Sequence, residues 1–177
     1  MIILLSSCAL EKKKLTENIG KYVPPNIDYT NFKNSVITNK NFEETWTSVL
    51  DFVSDSFFKI ENLEKDSGLL TLSFGSKEAE KFIDCGDFEY TLFFTGEEFK
   101  GSYIDYAKSG LLAVLKAKMN INIQKIDNES TKLSINTNYR YSTQHALGYY
   151  DPKLNQTYSF VSGGYQTIDV INPISGS

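Results

Sequence analysis

Between Phe42 and Phe57 the large apolar residues stand at Phe42, Trp46, Val49, Leu50, Val53 and Phe57, the steps of a single stripe on a helix of 3.6 residues per turn. Asn39 or Asn41 supplies its N-cap, and Glu43 and Glu44 occupy the first turn, where the helix dipole favours acids. Phe32 to Thr38 predicts a short strand ahead of it. After the helix the period drops to two. Phe58 and Ile60 lead into the turn Glu64-Lys65-Asp66-Ser67-Gly68, and Leu70, Leu72 and Phe74 return from it. A polar connection from Lys77 to Gly86 precedes a strand with Phe88, Tyr90, Leu92 and Phe94 on one face, and Gly96 to Gly110 reads as a loop or as a strand with a bulge.

The two clearest strands follow. Leu115, Ala117, Met119, Ile121 and Ile123 alternate with Lys116, Lys118, Asn120, Asn122 and Gln124. Across the turn Asp127-Asn128-Glu129-Ser130, Leu133, Ile135, Tyr139 and Tyr141 alternate with Lys132, Ser134, Asn138 and Arg140. One apolar and one wet face per strand is the mark of an antiparallel meander covered on a single side. Past Ser142 the pattern loosens, with a short helix expected from Ser162-Gly163-Gly164 through Tyr165, Ile168 and Ile171, stopped before Pro173. The expected fold is a two-layer α+β domain over residues 32–172: one long helix packed on an antiparallel sheet of about five to six strands, with a short C-terminal helix. Residues 173–177 form a tail. Residues 9–31, with Lys12-Lys13-Lys14, Gly20 and Pro24-Pro25 and no sustained apolar period, read as a flexible tether with a reach of roughly 25 Å.

Composition narrows the function classes. A chain of 177 residues can bury one sizeable core, and its 14% aromatic content favours strands. A net charge of −4 argues against nucleic acid as the main partner, because a phosphate backbone rewards a concentrated basic surface. No apolar run is long enough to span a bilayer as a helix.

The first residues change the picture more. Leu5-Ser6-Ser7-Cys8 places an apolar residue three before a cysteine with two small residues between, and this resembles the lipobox of bacterial lipoproteins. The resemblance implies cleavage before Cys8 and acylation of that residue, so that residues 1–8 are a signal remnant with its lipidation site. It places the domain in the bacterial cell envelope, held at the outer membrane facing the periplasm. Only Met1-Ile2-Ile3-Leu4-Leu5 precedes the small residues and no Lys or Arg stands before Cys8, so either the leader starts upstream of this sequence or the match is chance. The only other cysteine is Cys85. If Cys8 carries lipid, Cys85 is a structural thiol; a Cys8–Cys85 disulfide would cancel the lipoprotein reading.

With the lipobox cysteine, the Phe42…Trp46…Val49-Leu50 helix, the Asp66-Ser67-Gly68 hairpin and the segment Phe82-Ile83-Asp84-Cys85-Gly86, the chain resembles the helix-grip domains of BamC-like outer-membrane lipoproteins over about residues 35 to 142. It departs from them in lacking their long closing helix. The resemblance implies an accessory role in outer-membrane assembly.

No residue set announces a reaction, and none is expected to carry one. Cys85 lies between Asp84 and Asp87, which oppose thiolate formation, and His145 is the single histidine. One histidine and one spare cysteine give no metal spacing, and no phosphate-binding glycine loop or cofactor motif occurs. Glu78, Glu80, Glu97 and Glu98 read as loop charges. The remaining signal is aromatic: Tyr139, Tyr141, Tyr149, Tyr150 and Tyr158 crowd the last third of the chain, as candidates for a binding surface or for packing. The expected function is therefore non-enzymatic: a lipid-anchored module that docks on envelope proteins. The alternative is a carrier with an apolar cavity between helix and sheet for a lipid or other small hydrophobic ligand.

Overall fold

The computed structural model describes residues 6–7, 21–26, 32–91, 98–145 and 157–162. In chain order these form strands β1 (Ser6–Ser7), β2 (Lys21–Val23) and β3 (Ser35–Thr38), then helix α1 (Phe42–Ser54) and strands β4 (Lys59–Glu64) and β5 (Leu69–Ser76). A 3-10 turn (Ala79–Lys81), β6 (Ile83–Asp84), β7 (Asp87–Thr91) and β8 (Glu98–Ser102) come next. Helix α2 (Tyr103–Gly110), β9 (Leu111–Lys125), β10 (Thr131–His145) and β11 (Thr157–Val161) complete the described chain.

The expected α+β layering, with one long helix covering the sheet in helix-grip fashion, is not the fold. Strands dominate, and a large and a small sheet with two cores, beside a two-residue parallel pair of β1 with β6, replace one helix on one sheet. The larger sheet runs β11-β10-β9-β5-β4 with β3 also paired to β10, all antiparallel, and the smaller runs β2-β7-β8. The reason is length. Strands β9 and β10 have 15 residues each and extend ~50 Å, whereas the 13 residues of α1 reach only ~20 Å. One such helix leaves more than half of the apolar face bare, so a second layer has to cover the rest.

Each half is built from its own residues. Under α1, Trp46 and Val53 pack on Leu70, Leu72, Ile121 and Ile123, flanked by Phe42, Val49, Leu50 and Leu133. Asn41 is the cap: its side chain accepts from the Glu44 amide at 2.9 Å while the Glu44 carboxylate accepts from the Asn41 amide at 3.2 Å, a closed capping box. The helix stops at Ser54, three residues before the stripe's last member, and Phe57 lies beyond it, 65% exposed. At the β4–β5 turn, Gly68 has a φ of 68° and its carbonyl accepts from the Ile123 amide at 2.8 Å. A Cβ there would run into the Ile123 carbonyl oxygen, so the turn demands glycine twice over.

The second half uses segments that show no long pattern. Residues 98–110, open between loop and bulged strand, are β8 followed by α2, whose Ser102 cap accepts from the Asp105 amide at 3.1 Å. Ile104 and Ala107 of α2, Phe88 of β7, and Ala79, Ile83 and Cys85 of the supposedly polar connection cover Leu115, Ala117, Tyr139, Tyr141, Tyr158 and Phe160 of the large sheet. Part of the expected tether belongs here too: β2 pairs with β7, and the Tyr22 hydroxyl donates to the Cys85 carbonyl at 2.9 Å. Gly86, with a φ of 73°, passes so close to Val23 that a Cβ would meet its carbonyl oxygen. β11, in the stretch past Ser142 where the pattern loosens, extends the sheet along β10 from Asn138 to Ser142. The expected C-terminal helix, beyond Ser162, lies outside the described residues.

Candidate functional site

The tyrosine candidates divide sharply. Tyr139, Tyr141 and Tyr158 are core residues, 4%, 0% and 6% exposed, and present no surface to a partner. Tyr139 stacks on Phe160 at 5.4 Å and Tyr141 on Tyr158 at 6.5 Å, while the small residue Ala117 stands opposite Tyr139 in the register and makes room for its ring. Tyr103 of α2 joins them. Burial first, and then the neighbouring Tyr158 hydroxyl, push its phenol well above the ordinary tyrosine range, so it stays neutral. Tyr149, Tyr150 and Cys8 lie outside the described residues. The crowding of tyrosines in sequence reflects a packed layer here, because β10 and β11 turn these positions inward.

Cys85 is 2% exposed within the same core. The neighbouring Asp84 carboxylate accepts from the Gly86 amide at 2.8 Å and so shapes the turn that carries the cysteine. Glu78 pairs with Lys81 at 2.7 Å and Glu80 with Lys108 at 2.5 Å, so these acids are tied to lysines. Among the described residues, no group of three or more His, Cys, Asp and Glu side chains is placed to hold a metal ion. The interface between α1 and the sheet is filled by Trp46, Val53, Leu70, Leu72, Ile121 and Ile123.

What remains is the face of the large sheet opposite α1. Its side chains alternate with the buried ones: Lys116 and Lys118 of β9 and Arg140 of β10 are exposed on either side of buried Ala117 and Tyr139. The register sets them in a grid. Arg140 stands opposite Lys116 on one side and Ser159 on the other; Asn138 stands opposite Lys118 and Val161. Together they border a shallow depression of about 380 Å³ that opens directly to solvent. Lys132 and Lys59 share this face, which among the described residues carries two carboxylates, Glu61 and Glu64, both on the edge strand β4. Glu61 is already engaged: it accepts from the Ser73 hydroxyl at 2.6 Å and pairs with Lys59 at 2.9 Å, contacts that hold its carboxyl below the usual range.

Lys116, Lys118 and Arg140 form no ion pair among the described residues. Among the described residues this face sets five cations against two carboxylates, and in a chain whose formal net charge is −4 it concentrates positive charge on one side. The lysines are visible in the sequence as the wet half of an alternation. Their apposition with Arg140 depends on the β9–β10 register, which the 127–130 turn fixes: the Asp127 carboxylate accepts from the Glu129 and Ser130 amides at 2.8 and 2.7 Å. No protein-family model, curated protein or solved structure matches the chain. No helix among the described residues is long and apolar enough to cross a membrane.

Proposed function

We propose that this chain is a lipid-anchored bacterial envelope protein with no catalytic role, whose domain works by surface contact as a docking and accessory module for envelope or outer-membrane assembly proteins. The observation that carries the reading is Leu5-Ser6-Ser7-Cys8. The architecture supports it in two ways. Both cores are occupied by the chain's own side chains, which leaves the exterior to do the work. Cleavage before Cys8 would also cost the domain little, because among the described residues it removes just the two-residue parallel pair of Ser6–Ser7 with Ile83–Asp84. The large sheet keeps all its strands.

Intact mass of the protein recovered from bacterial envelopes tests the reading. A chain beginning at Cys8 with the added mass of a diacylglyceryl group and an N-acyl chain is expected, and Cys8→Ser should release the protein to the soluble fraction. An uncleaved leader with an unmodified sulfur would overturn it. So would a disulfide to Cys85, the thiol next in sequence to Asp84, with which Ser7 pairs.

A further inference from the structure

The geometry points to the open face of the large sheet, centred on Lys116, Lys118 and Arg140, as a docking surface for the anionic phospholipid headgroups of the membrane that holds the protein. The inference rests on the lipid-anchor reading and adds an orientation: the sheet lies on the bilayer, and α1, on the other face, points away from it.

Three observations carry it. First, Lys116, Lys118 and Arg140 form no ion pair among the described residues, and Glu61, the carboxylate whose charge Lys118 does feel, is already engaged by Ser73 and Lys59. Lys116 and Arg140 stand directly across a strand pair, where like charges repel, and the residues beside them along the sheet are Gly75, Ser73, Asn138 and Ser159, all uncharged. An arrangement that opposes folding is understandable if an external anion relieves it. Second, the surroundings suit phosphate. Arg140 offers a planar fork of donors, Asn138 and Ser159 add neutral polar groups beside it, and the depression they border is open and shallow, as contact with a headgroup layer requires. Third, the charge distribution gives a sign to the orientation. The face is basic within an acidic chain, and α1 on the opposite side carries Glu43, Glu44 and Asp51 with no basic residue in its last turn. An anionic surface attracts the first side and repels the second. A few basic residues bind a bilayer weakly by themselves. A lipid at Cys8 would hold them at high effective concentration, which makes weak contacts sufficient to set an orientation.

The test uses the full chain with Cys8→Ser, so that no acyl group contributes, in flotation with vesicles of phosphatidylcholine alone or containing about one third phosphatidylglycerol. Flotation with the anionic vesicles only, lost at about 0.5 M salt, is expected. Adding Lys116→Gln, Lys118→Gln and Arg140→Gln together should weaken it at least tenfold, and on the order of 100-fold if all three side chains reach the surface. The same triple variant should melt no earlier than its parent, since it removes the Lys116–Arg140 repulsion, which separates lost binding from lost folding. Lys12→Gln, Lys13→Gln and Lys14→Gln together serve as the control and should leave flotation within about twofold. No flotation with anionic vesicles, a triple variant that floats like its parent, or binding that depends on Lys12 to Lys14 instead would overturn the inference. None of these outcomes bears on acylation of Cys8, so the two proposals fail separately.

Discussion

The two halves of the large sheet are covered by opposite strategies. Over one half, a capped helix drops a compact set of large side chains, Trp46 and Val53, onto Leu70, Leu72, Ile121 and Ile123. Over the other, short pieces drawn from β2, the 3-10 turn, β6, β7 and α2 lie on a layer of Tyr139, Tyr141, Tyr158 and Phe160, with Ala79, Ala107, Ala113 and Ala117 filling the spaces between rings. The first core owes its shape to one periodic segment. The second owes it to size complementarity between tyrosines and alanines brought together from distant parts of the chain. β9 and β10 run through both, and this makes the pair a single cooperative unit rather than two.

The strongest way to break that comparison is to hollow out each half in turn. Trp46→Ala and Tyr141→Ala should each cost about 3–5 kcal/mol, since both side chains are buried and large. Trp46 is the only tryptophan, so its fluorescence reports the helix-covered half, while near-UV circular dichroism of the tyrosines weights the other. Both signals should move together through one denaturant transition in the parent and in Tyr141→Ala, while Trp46→Ala, which has no tryptophan left, is followed by the tyrosine signal alone. A Tyr141→Ala protein whose tyrosine signal melts well before its tryptophan signal would show that the continuous strands do not couple the halves.

How far each half was legible follows from the same contrast. The α1 stripe and the β9 and β10 alternations are local patterns, readable because 13 to 15 consecutive residues repeat one period. β2 and β11 have three and five residues, and their strand state comes from the partners they pair with, β7 and β10. Nothing local distinguishes Lys21-Tyr22-Val23 from the tether around it. Tyr139 and Tyr141 alternate correctly as inward residues, yet their number invites a surface role, because counting aromatic residues does not say which way they point. The expected cover of one long helix failed for a related reason: periodicity gives the length of each element but not the mismatch between a ~20 Å helix and ~50 Å strands until both are placed side by side. The basic face was present in the sequence as alternate lysines, whereas the opposition of Lys116 and Arg140 became readable only with the register.

Alkaline pH sharpens the difference between the halves without any cavity. Tyr103 has its phenol pKa raised by burial and by Tyr158. Below the unfolded tyrosine pKa of about 10, folded and unfolded chains are both neutral at this site and the group makes no pH-dependent contribution. Above it the unfolded chain releases the proton and the folded one retains it, so stability falls as pH rises, by up to about 1.4 kcal/mol per pH unit for this one group. Between about pH 10 and 11, urea titrations of Tyr103→Phe should therefore show a shallower loss than the parent. Parallel slopes would mean that the phenol ionises in the folded state.

The smallest effect concerns how α1 begins, and it bears on the half the sequence describes best. Asn39 and Asn41 are equally plausible caps by spacing, but only Asn41 has its side chain on the Glu44 amide with Glu44 returning to the Asn41 amide. Asn41→Ala removes the acceptor for an N-terminal amide of the helix and should cost about 1 kcal/mol, whereas Asn39→Ala should change stability by less than about 0.5 kcal/mol. Glu44→Ala, which opens only the return bond, should fall between them. The counterpart in the other half is Ser102→Ala, since Ser102 caps the eight residues of α2. Because that helix packs on a core assembled from many separate segments, the same loss of about 1 kcal/mol should appear in the shared transition and not as a local melting of α2. Hydrogen exchange of the α2 amides resolves the two: protection that drops only there, with the α1 amides unchanged, would divide the halves that β9 and β10 are argued to join.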